Sequence, residues 1–171
     1  MTATEPLRVV VLHNHDNSWD EADIQEALDE LRGMTTALQA HGCEVRTAQV
    51  FYSVRDVLDK SDCDPRHWLV FNWCEGYADR PWDYAGVTDE LDRLNYVYTG
   101  ASSWTLRMTE DKRVSRALLQ QAGVPVPPGV VANTPADLNW AKFPAIVKPV
   151  NQHGSYGIDR EAVVRDPQEL R

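Results

Sequence analysis

The sequence predicts an α/β fold, with an N-terminal unit built on a parallel sheet and then the start of a smaller α+β unit. Three observations carry this. Apolar, strand-like runs at residues 7–12, 44–52 and 68–73 alternate with segments of helical periodicity. The connections between them are short, as in consecutive β-α-β units. Beyond residue 104 the alternation stops, and a Pro-rich linker and short strand-like pieces follow.

Each element has its own reason. Residues 7–12 (LRVVVL) are apolar and β-branched, as a buried strand requires. Over 20–41, Ile24, Ala27, Leu28, Leu31, Met34 and Leu38 recur at helical spacing. Asp20 and Glu21 at its start suit the helix dipole, and Gly42 lies just past its end. Residues 44–52 and 68–73 read as the second and third strands, with a short helix at 54–58 between them. Val87, Leu91 and Leu94 mark a helix within 82–94, and 96–99 is a brief strand closed by Gly100.

The remainder reads as a polar-capped helix over 109–122, a stiff linker at 124–129, a small helix near 135–140, and strands at 143–149 and 158–164 flanking a glycine loop at 151–157. Two short strands about a glycine loop predict an antiparallel hairpin. Asp166 and Pro167 read as the cap and first turn of a further helix. The predicted organisation is an α/β domain over 1–104 and the first part of a second domain over 105–171, expected to be cut short because a helix has barely begun there.

Composition narrows the function classes. The chain has 171 residues, 17 Lys+Arg against 26 Asp+Glu, and a formal charge of −9. That charge argues against nucleic acid or an anionic membrane surface as main partner. No run approaches the ~18 apolar residues of a membrane span. Cys43, Cys63 and Cys74 form no CxxC pair, which argues against a disulfide scaffold or structural zinc. No basic segment followed by a long apolar stretch opens the sequence, so no secretory leader is expected, and a reducing cytoplasmic compartment is.

Several residues carry chemistry. Neither GxxxxGK[ST] nor GxGxxG after the first strand is present, which removes the commonest nucleotide motifs. His13 and His15, in HxH at a strand end, read either as metal ligands of a hydrolase or as loop residues lining a cleft. Lys148 ends an apolar run, and reads either as a phosphate contact or as an edge lysine whose stem packs on the strand. Gly154, Ser155, Tyr156 and Gly157 follow six residues later; glycines let backbone N–H groups approach an anion, and Ser155 adds a hydroxyl. Lys112 falls in a first helical turn, where acids are preferred; it reads as a ligand contact or as a surface lysine paired with Asp111 or Glu110.

Taken in order, YTGASS at 98–103, MTEDK at 108–112, LLQQAGVPVP at 118–127, FPAIVKP at 143–149 and GSYGI at 154–158 resemble the D-alanine–D-alanine ligase family of the ATP-grasp superfamily. FNWCEG at 71–76 resembles the family's strand ending in an Asn-x-x-His-Gly-like turn. The resemblance covers nearly the whole chain. It implies a pre-ATP-grasp N-terminal domain, the start of a small ATP-grasp subdomain, and a carboxylate–amine ligation that runs on ATP through an acyl phosphate. It implies that Lys112 and Lys148 contact ATP phosphates, with Gly154, Ser155 and Tyr156 in the loop over them. It implies that Glu21 orients the ammonium of an amino-acid substrate, and it places Glu75 on the substrate side. The family's Mg2+ ligands lie beyond the position of Arg171, so this length is expected not to catalyse ligation alone. The partners it implies are a small amino-acid or carboxylate substrate and a second copy of the chain through the N-terminal domain.

There are departures. HNHD at 13–16 replaces a Gly-rich turn, Gln25 stands where the family has Ser, Glu75 where it often has His, and His153-Gly154 where Gly-Ser is commoner. They touch the amino-acid side more than the ATP side. Two other readings compete with the ligase: a non-catalytic nucleotide- or amino-acid-binding remnant or half-site partner, and a metal-dependent hydrolase using His13 and His15.

Overall fold

The computed structural model describes residues 5–151 and 158–170. Two compact units, Met1–Trp104 and Thr105–Arg171, follow one another along the chain.

The first unit alternates β1 (Arg8–Asn14), α1 (Glu21–Ala40), β2 (Glu44–Val50), α2 (Val54–Ser61), β3 (Trp68–Trp73), α3 (Tyr84–Arg93) and β4 (Val97–Tyr98). The four strands are parallel, in the order β2-β1-β3-β4. Val10 of β1 sits between Arg46 of β2 and Val70 of β3. The first crossover runs one way across the sheet, and the next two run the other way. Right-handed crossovers therefore put α1 on one face and α2 with α3 on the opposite face.

Strand alternation sorts the core to match. Val10, Leu12, Ala48, Val50, Trp68 and Val70 pack with Val54 and Leu58 of α2 and Val87 and Leu91 of α3 in one buried cluster. The alternate positions Val9 and Val11 are buried on the other side of the pleat. There α1 buries only Leu31, so this long helix covers its face with half-buried side chains and keeps a broad polar flank.

Local chemistry fixes the helix starts. Asp20 caps α1 by accepting the N–H groups of Ala22 and Asp23 at 2.8 and 3.0 Å, and Asp23 accepts the N–H of Asp20 at 3.1 Å. Ser53 caps α2. A carboxylate from α3 reinforces that end: Glu90 accepts the N–H of Val54 at 2.8 Å and of Arg55 at 3.2 Å, and also takes the Tyr77 hydroxyl at 3.0 Å.

The second unit holds α5 (Lys112–Gln121), and α4 (Ser103–Glu110) spans the boundary. A two-stranded antiparallel sheet pairs β5 (Ala145–Ile146) with β6 (Val163–Val164). Short 3-10 turns occupy Pro135–Asp137 and Arg160–Ala162. Val164 is the one described residue of this unit that is buried apolar core.

Three expectations need correction. The single helix predicted over 109–122 is two helices, broken at Asp111, which leaves the helical region to cap α5. Its carboxylate accepts the N–H of Arg113 at 2.8 Å and pairs with that guanidinium at 2.6 Å, which holds its pKa down to about 2. It is therefore committed to Arg113. The strand predicted over 143–149 is only Ala145–Ile146, so Lys148 lies past its end and is exposed. Likewise the strand over 158–164 shrinks to Val163–Val164, although the hairpin is antiparallel as expected. Among the described residues, no helix is long and apolar enough to cross a membrane.

Candidate functional site

The neighbours β1 and β3 are followed by helices on opposite faces of the sheet. At such a switch point the connecting segments part, and a crevice opens beyond the carboxyl ends of the strands. A cleft of about 400 Å³ lies there, lined by Asn14 at the end of β1, Trp73 at the end of β3, Glu75, Trp19, and Asp23, Glu26, Ala27 and Glu30 of α1. The four α1 residues fall at successive helical spacings, so one stripe of the helix faces the strand ends.

The loops around the cleft are tied by backbone chemistry. Asp16 accepts the N–H and hydroxyl of Ser18 at 2.7 and 2.6 Å, and its carbonyl accepts the N–H of Trp19 at 3.1 Å. This turn brings the Trp19 indole to the cleft. The segment after β3 is anchored three times. The N–H of Glu75 donates to Asn14 Oδ1 at 2.8 Å, the N–H of Ala78 donates to the Phe51 carbonyl at 2.7 Å, and the Ala78 carbonyl accepts from Asn17 Nδ2 at 3.0 Å. Gly76 fits where the chain folds back on itself, because a Cβ there would lie 2.7 Å from the Arg80 carbonyl oxygen and the Trp82 nitrogen.

Burial pushes the Glu75 carboxyl above its ordinary range; a hydrogen bond from the Tyr84 hydroxyl opposes this, and the nearby Asp16 charge adds to it. Tyr84 is pushed up to about 12 by burial, with Glu75 beside it adding to the rise.

The expected site residues fall in several places. Glu75 lines the cleft. Glu21 begins α1 but is exposed and outside the lining, where Asp23, Glu26 and Glu30 stand instead. His13 is 6% exposed, and burial together with His15 lowers its pKa to about 4, so its ring is neutral at pH 7. Its ring centre lies 5.6 Å from that of His15, whose Nδ1 accepts from Gln49 Nε2 at 3.2 Å. Among the described residues, no three His, Cys, Asp or Glu side chains are grouped to hold a metal, so the hydrolase reading of the pair has no third ligand there.

In the second unit the segments bearing Lys112 and Lys148 run side by side. The N–H of Lys112 donates to the Val150 carbonyl at 3.0 Å, and Asp111 and Asn151 form an isolated antiparallel bridge. Lys112 is the first residue of α5, and Lys148 stands two residues before Val150. Gly154, Ser155 and Tyr156 lie outside the described residues. Two neighbouring lysine-bearing segments suit an anionic ligand such as a phosphate chain.

The sequence reading missed Asp23, Glu26, Glu30, Trp19 and Trp73 as cleft residues. The signal for the three acids was present, since they recur at helical spacing beside the apolar stripe. Only the strand order shows that this flank meets the ends of β1 and β3.

No family model matches the chain, and no solved structure matches it. Three curated proteins are distantly similar. The D-alanine–D-alanine ligase of Sphingopyxis alaskensis is 27% identical over 163 residues, covering 94% of this chain and 48% of the relative. That of Aquifex aeolicus is 31% identical over 88 residues, 47% of this chain and 28% of the relative. A Sinorhizobium fredii protein, named as uncharacterized protein y4sG, is 29% identical over 104 residues, 60% of this chain and 30% of the relative. The chain thus spans at most about half the length of the curated relatives it matches.

Proposed function

We propose that this chain supplies the substrate-facing domain and the first phosphate contacts of an ATP-dependent carboxylate–amine ligase. The observation that carries the reading is the pairing of the segments bearing Lys112 and Lys148. The two segments are held together by the Lys112 N–H to Val150 carbonyl bond and the Asp111–Asn151 bridge. They are the two lysines that the ligase resemblance assigns to ATP phosphates. The similarity to the Sphingopyxis ligase along 94% of the chain supports the same reading.

On this reading, each part has a task. Lys112 and Lys148 hold the phosphates and offset charge that builds on the departing ADP. Gly154, Ser155 and Tyr156 follow in sequence as the covering loop. The cleft between β1 and β3 receives a substrate, with Glu75 and the α1 carboxylates orienting it. Mg2+ supplies neutralisation of the phosphate charge when bound. Among the described residues, no three His, Cys, Asp or Glu side chains are grouped to hold it. A cytoplasmic setting, where ATP is available, belongs to the same proposal.

The test is release of ADP from MgATP by the intact gene product, scanned over pairs of carboxylates and amines. Release that needs both partners supports the proposal. ATP turnover independent of any carboxylate, or none with any pair, overturns it.

A further inference from the structure

β2 is an outer strand of the first unit's sheet, paired on one side only, with β1. The Glu44 N–H donates to the Leu7 carbonyl at 2.9 Å, and alternate residues of a parallel strand turn both backbone groups to the same neighbour. Arg46, Ala48 and Val50 therefore face β1 as Glu44 does. Val45, Thr47 and Gln49 turn their backbone N–H and C=O groups outward, where no hydrogen bond reaches those groups among the described residues. Such edges are ordinarily defended by shortness, proline, a bulge or a free charge. β2 has seven residues, no proline, and an unbroken register with β1. Its two charges are already engaged. Glu44 pairs with Arg8 at 3.1 Å, and Arg46 donates to the Ser61 and Asp62 carbonyls at 2.5 and 3.1 Å.

The same edge is complementary to itself. With a two-fold axis at Thr47, antiparallel β2 strands of two copies align over all seven residues. Thr47 lies opposite Thr47, Val45 opposite Gln49, Arg46 opposite Ala48 and Glu44 opposite Val50. No like charges meet, and the outward N–H and C=O groups of each copy find partners on the other. An axis at Arg46 would set that cation against itself. Beyond the strand, Phe51 and Tyr52 are 53% and 67% exposed. The alignment on Thr47 brings them to Gly42 and Cys43 of the other copy, in the turn between α1 and β2, so that aromatic surface leaves water. We infer that a second copy of this chain docks on this edge, β2 against β2, joining the two four-stranded sheets into one.

The experiment is analytical ultracentrifugation of the purified chain over a dilution series, with amide hydrogen exchange followed by NMR on the same samples. A monomer–dimer equilibrium is expected. The Val45, Thr47 and Gln49 amides are expected to exchange slowly in the dimer and at least tenfold faster in the monomer, reached by dilution or by Thr47→Lys. The Arg46 and Ala48 amides, bonded to β1, are expected to stay slow in both. Thr47→Pro removes an outward N–H and spares the ladder to β1, and Thr47→Lys sets two cations opposite each other. Each is expected to raise the dimer dissociation constant at least tenfold. Thr36→Lys, the same change at an exposed position of α1, is expected to leave it unchanged. A chain that stays monomeric at every concentration overturns the inference. So does a dimer whose Val45, Thr47 and Gln49 amides exchange as fast as in the monomer, or one weakened equally by Thr36→Lys. If Thr47→Pro does not fold, the exchange pattern and Thr47→Lys decide.

Discussion

Asn14 and Glu75, 61 residues apart, are joined by one hydrogen bond: the Glu75 N–H donates to Asn14 Oδ1 at 2.8 Å. The bond ties the carboxyl end of β1 to the segment leaving β3, across the point where the helices that follow depart to opposite faces. It therefore joins two of the residues that line the cleft. Asn14→Ala leaves the Glu75 N–H without its acceptor. It is expected to cost about 1–2 kcal/mol in urea denaturation. Unchanged stability would mean that the strand ends hold their spacing without it.

Glu75 makes stability depend on pH in a defined direction. Burial raises its pKa above the ordinary 4.5, so the folded chain binds its proton more readily than the unfolded chain does. Such a group favours the folded state in acid, and this contribution is lost as pH rises from the ordinary value through the raised one. Glu75→Gln keeps an acceptor for Tyr84 and removes the charge. It is expected to raise the melting temperature at pH 8, with the advantage over the parent shrinking toward pH 4. An advantage that grows in acid would show that Glu75 is stabilised as a carboxylate instead.

His13 acts in the opposite sense. Its folded pKa of about 4 lies below the ordinary 6.5, because burial and His15 disfavour its charged form. Between those values the unfolded chain takes up a proton that the folded chain refuses. Stability from this group is full above 6.5 and falls as pH drops toward 4. NMR of the imidazole signals is expected to show one histidine titrating near 4, assigned by its loss in His13→Gln. A midpoint for His13 near 6.5 would contradict the burial argument.

Much of the first unit was legible because its signals are local. Residues 68–73 form a strand over the same span, and α1 begins at the residue after the Asp20 cap. The break at Asp111 was hidden, because the polar run 109–113 tolerates either one helix or two. Helix α4 was missed because it is short, and no residue of Ser103–Glu110 is buried. The strand expected over 143–149 came out shorter because an apolar run does not say how many partners a strand will find, and β5 pairs for only two residues. The cleft was half legible. Glu75 stood out beside a strand end, but the α1 acids looked like a solvated flank until the order β2-β1-β3-β4 brought that flank to the switch point.

Lys112 offers a test in which stability and binding move apart. It is the first residue of α5, where a cation opposes the positive end of the helix dipole. A residue kept there only for folding would be improved on by an acid, by about 0.3–1 kcal/mol. Lys112→Glu is therefore expected to stabilise the fold slightly and to reduce ATP binding by the intact gene product at least tenfold. Lys148, exposed past β5, is expected to behave differently in one respect. Lys148→Ala should leave stability within about 0.5 kcal/mol, as surface changes do, and should also weaken ATP binding at least tenfold. A charged contact to phosphate is worth about 1.5–3 kcal/mol, and each 1.4 kcal/mol is tenfold in affinity, so a smaller loss would mean no direct contact. Loss of ATP binding in both variants, with stability rising in one and flat in the other, separates a phosphate site from a structural role for either lysine.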